Sequence, residues 1–223
     1  WGPVCPDPLE NKPGILTNDK NDVKYAGSGN VSGDPKVAEA DPPLDDAYFN
    51  DFGDLKWDDL VAMADIRLPG GNINQTEPDS TAGGVCLTGQ AHKLNWGNPL
   101  NPDAACGDYF PLIYVDGNAR IQSGGVGQGV LLVKDNLDLR GDFEFHGIII
   151  VQGNFETQGS GNRVFGAVMA SNAAFDLQKL VGGSVVEYSG CASTRAVLLN
   201  RGLTRVRPID RRSWVDLSSV VGG

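Results

Sequence analysis

The phrases LIYVDGNARIQ (112–122), VLLVKDNLDLR (130–140) and IIIVQGNFETQ (148–158) superpose without a gap, and GAVMASNAAFD (166–176) continues the series. Each holds an asparagine, at Asn118, Asn136, Asn154 and Asn172, a strict interval of 18 residues. A period this short cannot contain two helices, so each repeat reads as one turn of a solenoid. An antiparallel sandwich also shows turn signals every 8 to 12 residues, but it has no reason to keep one unbroken register.

Strand side chains alternate between two faces, so the columns of the repeat tell inside from outside. Ile113, Leu131, Ile149 and Ala167 form the first inward column; Val115, Val133, Val151 and Met169 form the second. After the asparagine come Ala119, Leu137, Phe155 and Ala173, then Ile121, Leu139, Thr157 and Phe175. Between these lie polar residues: Arg120, Asp138 and Glu156, then Gln122, Arg140, Gln158 and Asp176. That side faces water. Asparagine suits the corner because it tolerates left-handed backbone angles and because stacked amides can bond along the axis.

The expectation is an all-β chain, a parallel β-helix of about four to five rungs centred on 111–190. Apolar or small residues also recur every six positions through Leu131, Leu137, Phe143, Ile149 and Phe155, a pattern shared with left-handed coils. The Gly-rich, irregular third side (124–129, 143–147 and 159–166) favours the right-handed form.

One strand breaks the alternation. Leu112, Tyr114, Val130, Leu132, Ile148, Ile150 and Val168 are apolar yet should point outward. A patch of that size does not stay open on a soluble monomer. Either another part of the chain covers it or it is a docking face for a second molecule.

The flanks supply candidates. Residues 1–40 are rich in Gly, Asn and Asp and hold a short β pattern, DVKYAGSGNVSG (22–33), that can add a first rung. Residues 41–110 read as an acidic insertion with one helix and a disulfide loop. Asp54 is the expected N-cap of that helix, and Leu55, Leu60, Val61, Met63 and Ala64 form its apolar stripe, which ends before Pro69. Residues 191–223 form a basic segment expected to pack on the core. From residue 193 onward it carries Arg195, Arg201, Arg205, Arg207, Arg211 and Arg212 against Asp210 and Asp216, a net +4 in a chain of net −10. The overall charge is the wrong sign for nucleic acid, and the arginines are not interleaved with stacking aromatics.

The 223 residues are 40% apolar, with 30 glycines and 13 prolines, as suits a turn-rich β protein with one sizeable core. No apolar run approaches the 18 residues of a membrane span. The chain starts at Trp1, so an N-terminal signal or anchor can have been removed. Cys5, Cys86, Cys106 and Cys191 have no CxxC spacing, which leaves disulfides as the better reading than metal or haem. Cys86 and Cys106 bracket an Asn, Gly and Pro-rich segment, and closing a loop of about 20 residues stabilises by roughly 3 kcal/mol. Cys5 and Cys191 then pair by elimination. Two bridges place the protein outside the cytoplasm.

Chemistry is sparse. His92 lies in the disulfide loop, and His146, in FEFHG, reads as a rung side chain. The one enzyme-like constellation is Asp138 and Glu156 on adjacent rungs about 4.8 Å apart, but Arg120 and Arg140 beside them read as charge partners. The expectation is no catalytic residue and no cofactor. The stretch from Asp41 to Asp59 offers carboxylate oxygens of the kind calcium takes, without the spacing of a calcium loop; a solvated or Arg-paired acidic face is the simpler reading. Trp57, Trp96, Tyr109 and Phe110 could stack on sugars in a carbohydrate-binding adhesin, although such aromatics are more often core.

The run GQGVLLVKDNLDLRGDFEFHGIIIVQGNFETQGSGNRVFGAVMASN (127–172), followed by VVEYSGCAS and RPIDRRSWVDL, resembles the β-helical soluble region of PilX-like proteins of bacterial type IV pilus assembly. FGDLKWDDLVAMADIRLPGG is similar to the inserted helix of that group. The resemblance implies an exported, non-catalytic structural or assembly protein, extracellular or at the cell surface. Its partners would be pilus components or other subunits, with self-assembly at the rung edges open to it. A surface adhesin that binds polysaccharide and a polysaccharide-acting β-helix enzyme are the alternatives.

Overall fold

The computed structural model describes residues 12–13, 15–22, 24–26, 30–32, 34–170, 179–181 and 183–204. A 10-stranded parallel sheet coils on itself as a β-solenoid. The strand Leu112–Val133 is 22 residues long because it runs round all three sides of one turn. Its first part lies on Ile66–Thr76 (Ile113 opposite Ile66), its middle under Leu137–Arg140 (Ala119 opposite Leu137), and its last part under Phe143–Val151 (Gly125 opposite Phe143). Phe155–Gln158 and Arg163–Ala170 form the next turn, and Lys179–Val181 and Val185–Tyr188 the one after.

The stack is deeper than four to five rungs. Side two alone runs in order through Ile66–Thr76, Leu112–Val133, Leu137–Arg140, Phe155–Gln158, Lys179–Val181 and Lys24–Ala26. The extra turns come from segments without the 18-residue spacing. Residues 66–76, expected inside an insertion, supply the first rung. The N-terminal segment adds its turn at the opposite end, with Lys24–Ala26 on Lys179–Val181 and Asn30–Ser32 on Val185–Tyr188. Ile15–Thr17 and Val37–Glu39 pair parallel with each other.

Inside, Ile113, Leu131, Ile149, Val115, Val133, Val151, Ala119, Leu137, Phe155, Ile121 and Leu139 are buried with Phe143, Phe145, Val164 and Val186 from side three. Each large apolar side chain so buried contributes about 1.5–3 kcal/mol. The fourth rung departs from the expected columns. Ile149 lies opposite Val168, not Ala167, because the turn at 159–162 holds one more residue than its counterpart below. Val168 and Ala170 therefore pack against the interior, while Met169 joins the outer cluster. Asn172, Ala173, Phe175 and Asp176 lie outside the described residues.

The corner between sides three and one is a column of glycines, Gly129, Gly147 and Gly166, in direct register. Their φ angles are 106°, 148° and 143°. A Cβ on Gly147 would stand 2.0 Å from the Gly129 carbonyl oxygen, and one on Gly166 only 1.8 Å from the Gly147 oxygen. The rungs can approach here only without side chains.

The outward apolar strand is covered by the chain itself. Leu112, Tyr114, Val130, Leu132 and Ile150 are buried, and Ile148 packs with them, beneath Leu55, Trp57, Leu60, Val61, Met63 and Ala64. The expected stripe thus does cover the face, but from a shorter helix. Helix α2, Trp57–Ala62, is capped at Lys56, whose N–H donates to the Asp59 carboxylate at 3.0 Å. Asp54 sits instead in the turn between the short strands Asp51–Phe52 and Leu55–Lys56, where Gly53 has φ 76°. Helix α1, Asp46–Asn50, precedes that hairpin. A third helix, α3, Gly190–Leu198, completes the cover: Ser189 Oγ caps it by accepting from Ala192 N at 3.2 Å, and Ala196 is fully buried against side one. The docking face expected from Leu112, Tyr114, Val130, Leu132, Ile148, Ile150 and Val168 is therefore closed, because α2 and α3 lie over the first six and Val168 points inward.

Candidate functional site

The corner asparagines form a ladder. Asn118 Oδ1 accepts from Asn136 N at 3.2 Å and Asn136 Nδ2 at 2.8 Å, and Asn136 Oδ1 accepts from Asn154 N at 2.8 Å. Left-handed backbone is not their role. Among described residues other than glycine, only Gln75, Cys106 and Asp142 have positive φ. The unusual angle is taken by Gly117 (φ 130°), and Gly153 leaves room for the amide, since a Cβ there would meet Asn136 Oδ1 at 2.6 Å.

Beside the ladder, side two carries the charged column Arg120, Asp138 and Glu156, in register on successive rungs. Asp138 Oδ2 accepts from Arg120 Nε at 3.2 Å and from Arg140 Nε and Nη2, both at 2.7 Å. A carboxylate oxygen bracketed by two guanidiniums is an ion-pair centre. Its second oxygen, Oδ1, is buried without a hydrogen-bond partner, as is Asn154 Oδ1. Asn118, Asn136, Asn154, Arg120, Asp138 and Glu156 line a groove of about 470 Å³ that runs up this corner from Asn72.

The lower end of the coil is closed by the disulfide loop. Cys86 and Cys106 are bonded at 2.07 Å. Cys191 is disulfide-bonded too; its expected partner, Cys5, lies outside the described residues. Trp96 is fully buried in the end of the core, edge-on to Phe143 with ring centroids 6.1 Å apart, and its Nε1 donates to Lys93 O at 3.0 Å. Buried Gln128 holds the loop from above, its Nε2 donating to the carbonyls of Cys106, Gly107 and Tyr109. Asn95 Nδ2 does the same within the loop, donating to Asp79 O at 3.1 Å and Leu87 O at 2.6 Å.

The other aromatics nominated for sugar stacking are also structural. Trp57 meets Tyr114 edge-on at 6.4 Å, Phe110 is buried under the Arg195 guanidinium at 5.2 Å, and Tyr109 Oη accepts from Gly89 N at 3.2 Å. His92 Nδ1 lies 2.8 Å from Asp79 Oδ2. His146 is a rung side chain, its Nε2 2.8 Å from Glu144 Oε1 and its ring 4.8 Å from Phe165. In the acidic stretch, Asp45 and Asp59 cap helices, and no group of three or more His, Cys, Asp or Glu among the described residues could hold a metal. Arg205, Arg207, Asp210, Arg211, Arg212 and Asp216 lie outside the described residues.

One polar cluster sits at the edge of the sealed face. Lys134 Nζ donates to Asp116 Oδ1 at 2.7 Å, and Tyr114 Oη donates to the same oxygen at 3.1 Å. The lysine and phenol hold the Asp116 carboxyl below its usual range, Asp116 raises Lys134, and burial followed by the Asp116 contact raises Tyr114.

Sequence reasoning missed the Gly129, Gly147 and Gly166 column and helix α3. The glycines were visible as a series at the same 18-residue step, displaced by one at the last member. The helix was announced by Ser189 followed by Ala192, Ala196 and Leu199. Comparison with protein-family models, with curated proteins and with solved structures finds no match for this chain.

Proposed function

We propose that the chain is a non-catalytic structural module of an exported bacterial surface assembly, of the kind its resemblance to PilX-like pilus proteins implies. The observation that carries this reading is where its polar groups point. The stacked asparagines bond to the next rung, and Asp138, one of the two carboxylates of the enzyme-like pair on side two, is held by two arginines. What remains is a disulfide-closed rod of parallel rungs, with a core sealed on its apolar side and plugged by Trp96 at one end.

The coil is taken as right-handed, the hand that crossovers between parallel strands nearly always adopt. The bridges fit an oxidising compartment. No helix among the described residues is long and apolar enough to cross a membrane. Contact with other subunits then falls to the strand edges at the coil's ends, where a parallel stack can add a further strand.

The test is fractionation of cells that make the protein. Recovery with sheared surface filaments, with Cys86 and Cys106 oxidised in the native material, supports the reading. Recovery in the cytosol with free thiols overturns it.

A further inference from the structure

We propose that the disulfide loop is an autoinhibitory cap on the edge strand Ile66–Thr76, with Gln90 as its catch, and that the edge it withholds is a docking surface for a second copy of the chain. This rests on the reading that strand edges are the contact surfaces of the module, and it names the partner and the control of one of them.

Ile66–Thr76 takes Leu112–Val133 as its strand partner, which leaves its other side facing the end of the coil. An edge of this kind is a template for another strand. Here the loop holds both of its ends. Arg67 N donates to Gln90 Oε1 at 2.7 Å, and Gln90 Nε2 donates back to Arg67 O at 2.9 Å. A neighbouring strand would make the same two-way exchange, so the carboxamide stands in for one. At the far end Glu77 N donates to Leu94 O at 3.1 Å. Between them Pro69 has no N–H to offer.

The turn before Gln90 sets it in place. Gly89 has φ 78°, a conformation that favours glycine, and its N–H is held by Tyr109 Oη. The Cys86–Cys106 bridge closes the ring that contains both Gln90 and Leu94. The catch itself is a single exposed side chain. Water competes for both of its bonds, so the edge is withheld by little.

Symmetry and charge select the occupant. The two N–H groups that the loop takes belong to residues 67 and 77, at equal distances in sequence from Asn72. Antiparallel pairing of two copies about a two-fold axis near Asn72 lays side one of each over side two of the other. It brings Arg67 of each copy towards Glu77 of the other, and both side chains are exposed. Opposite charges across such a pair are favourable.

The experiment compares the oxidised chain with its Gln90→Ala variant by amide hydrogen exchange and by light scattering up to about 1 mM. In the variant the Arg67 amide should exchange about tenfold faster, and a dimer should form where the parent chain is a monomer. Adding Glu77→Lys, which sets like charges opposite each other, should return the Gln90→Ala chain to a monomer. Unchanged amide spectra at Ala119, Leu137 and Phe155 verify that each variant keeps its central turns. A Gln90→Ala chain that stays monomeric overturns the proposal, however fast Arg67 exchanges. Association that Glu77→Lys does not reverse overturns it too, as does a parent chain that already dimerises. Recovery of the cellular protein in the cytosol would overturn the surface role and leave this result standing.

Discussion

Replacing Gly147 by alanine tests the stacking of the rungs at its tightest point. Gly147 has φ 148°, a conformation that side chains rarely adopt, and holding a non-glycine residue there costs about 1–3 kcal/mol. The new Cβ would also stand 2.0 Å from the Gly129 carbonyl oxygen and 3.0 Å from its carbon. Both are backbone atoms in the adjacent rung and cannot rotate away. Separating the rungs disturbs the packing of Phe145 and Ile149 on either side, and overpacking of this kind adds about 1–3 kcal/mol. The total is roughly 2–6 kcal/mol.

Gly141→Ala is the control: that glycine also has positive φ, at 70°, but nothing lies within 4 Å of its Cβ position. Its cost is that of left-handed backbone alone, about 1–2 kcal/mol. Urea unfolding of the oxidised chain, followed by tryptophan fluorescence, measures both. Equal losses to within about 0.5 kcal/mol would refute the reasoning, because the Gly147 Cβ position is crowded by the neighbouring rung and the Gly141 position is open.

Asn136→Ala removes both ladder bonds that Asn136 makes by its side chain and should destabilise by about 1–2 kcal/mol in the same assay. Ala196→Lys places a long cation where α3 is fully buried against side one; lifting that helix should expose Leu132 and Ile150, raise binding of a hydrophobic dye and produce oligomers by light scattering. The Asp116 cluster gives a pH dependence with a definite sign. Asp116 is lowered from 3.8, so its contribution is present above that value and lost as pH falls through its lower folded value; Lys134 is raised from 10.5, so its contribution is lost as pH rises past its higher folded value. In Asp116→Asn, the phenol of Tyr114 should titrate lower by absorbance than in the parent chain.

The interior of the three central turns was legible because an 18-residue period leaves one register, and alternation then assigns every side chain. The register failed at 167–170 for a local reason: the extra residue in the turn at 159–162 exchanges inside and outside for Val168 and Met169. A period cannot announce such an insertion beforehand. The end turns were not legible, since 66–76 is separated from 112 by the disulfide loop, and the N-terminal strands join the far end of the stack. The cover over Leu112, Leu132 and Ile150 was foreseen from their outward apolar positions, although the share taken by α3 was not. Of the candidate site, the Asp138 and Glu156 column and its arginines were readable from alternation. The groove beside it depends on how the corner at Gly117 and Gly153 folds, which no spacing records.

The most direct test of the stacked coil is a set of through-space NMR contacts between backbone amides of adjacent strands. A parallel stack predicts contacts at a constant difference in residue number: Ala119 with Leu137 and Leu137 with Phe155, stepping by 18, then Ile149 with Val168, stepping by 19. An antiparallel sandwich would instead give contacts in which one residue number rises as the other falls, and finding that pattern would contradict the account.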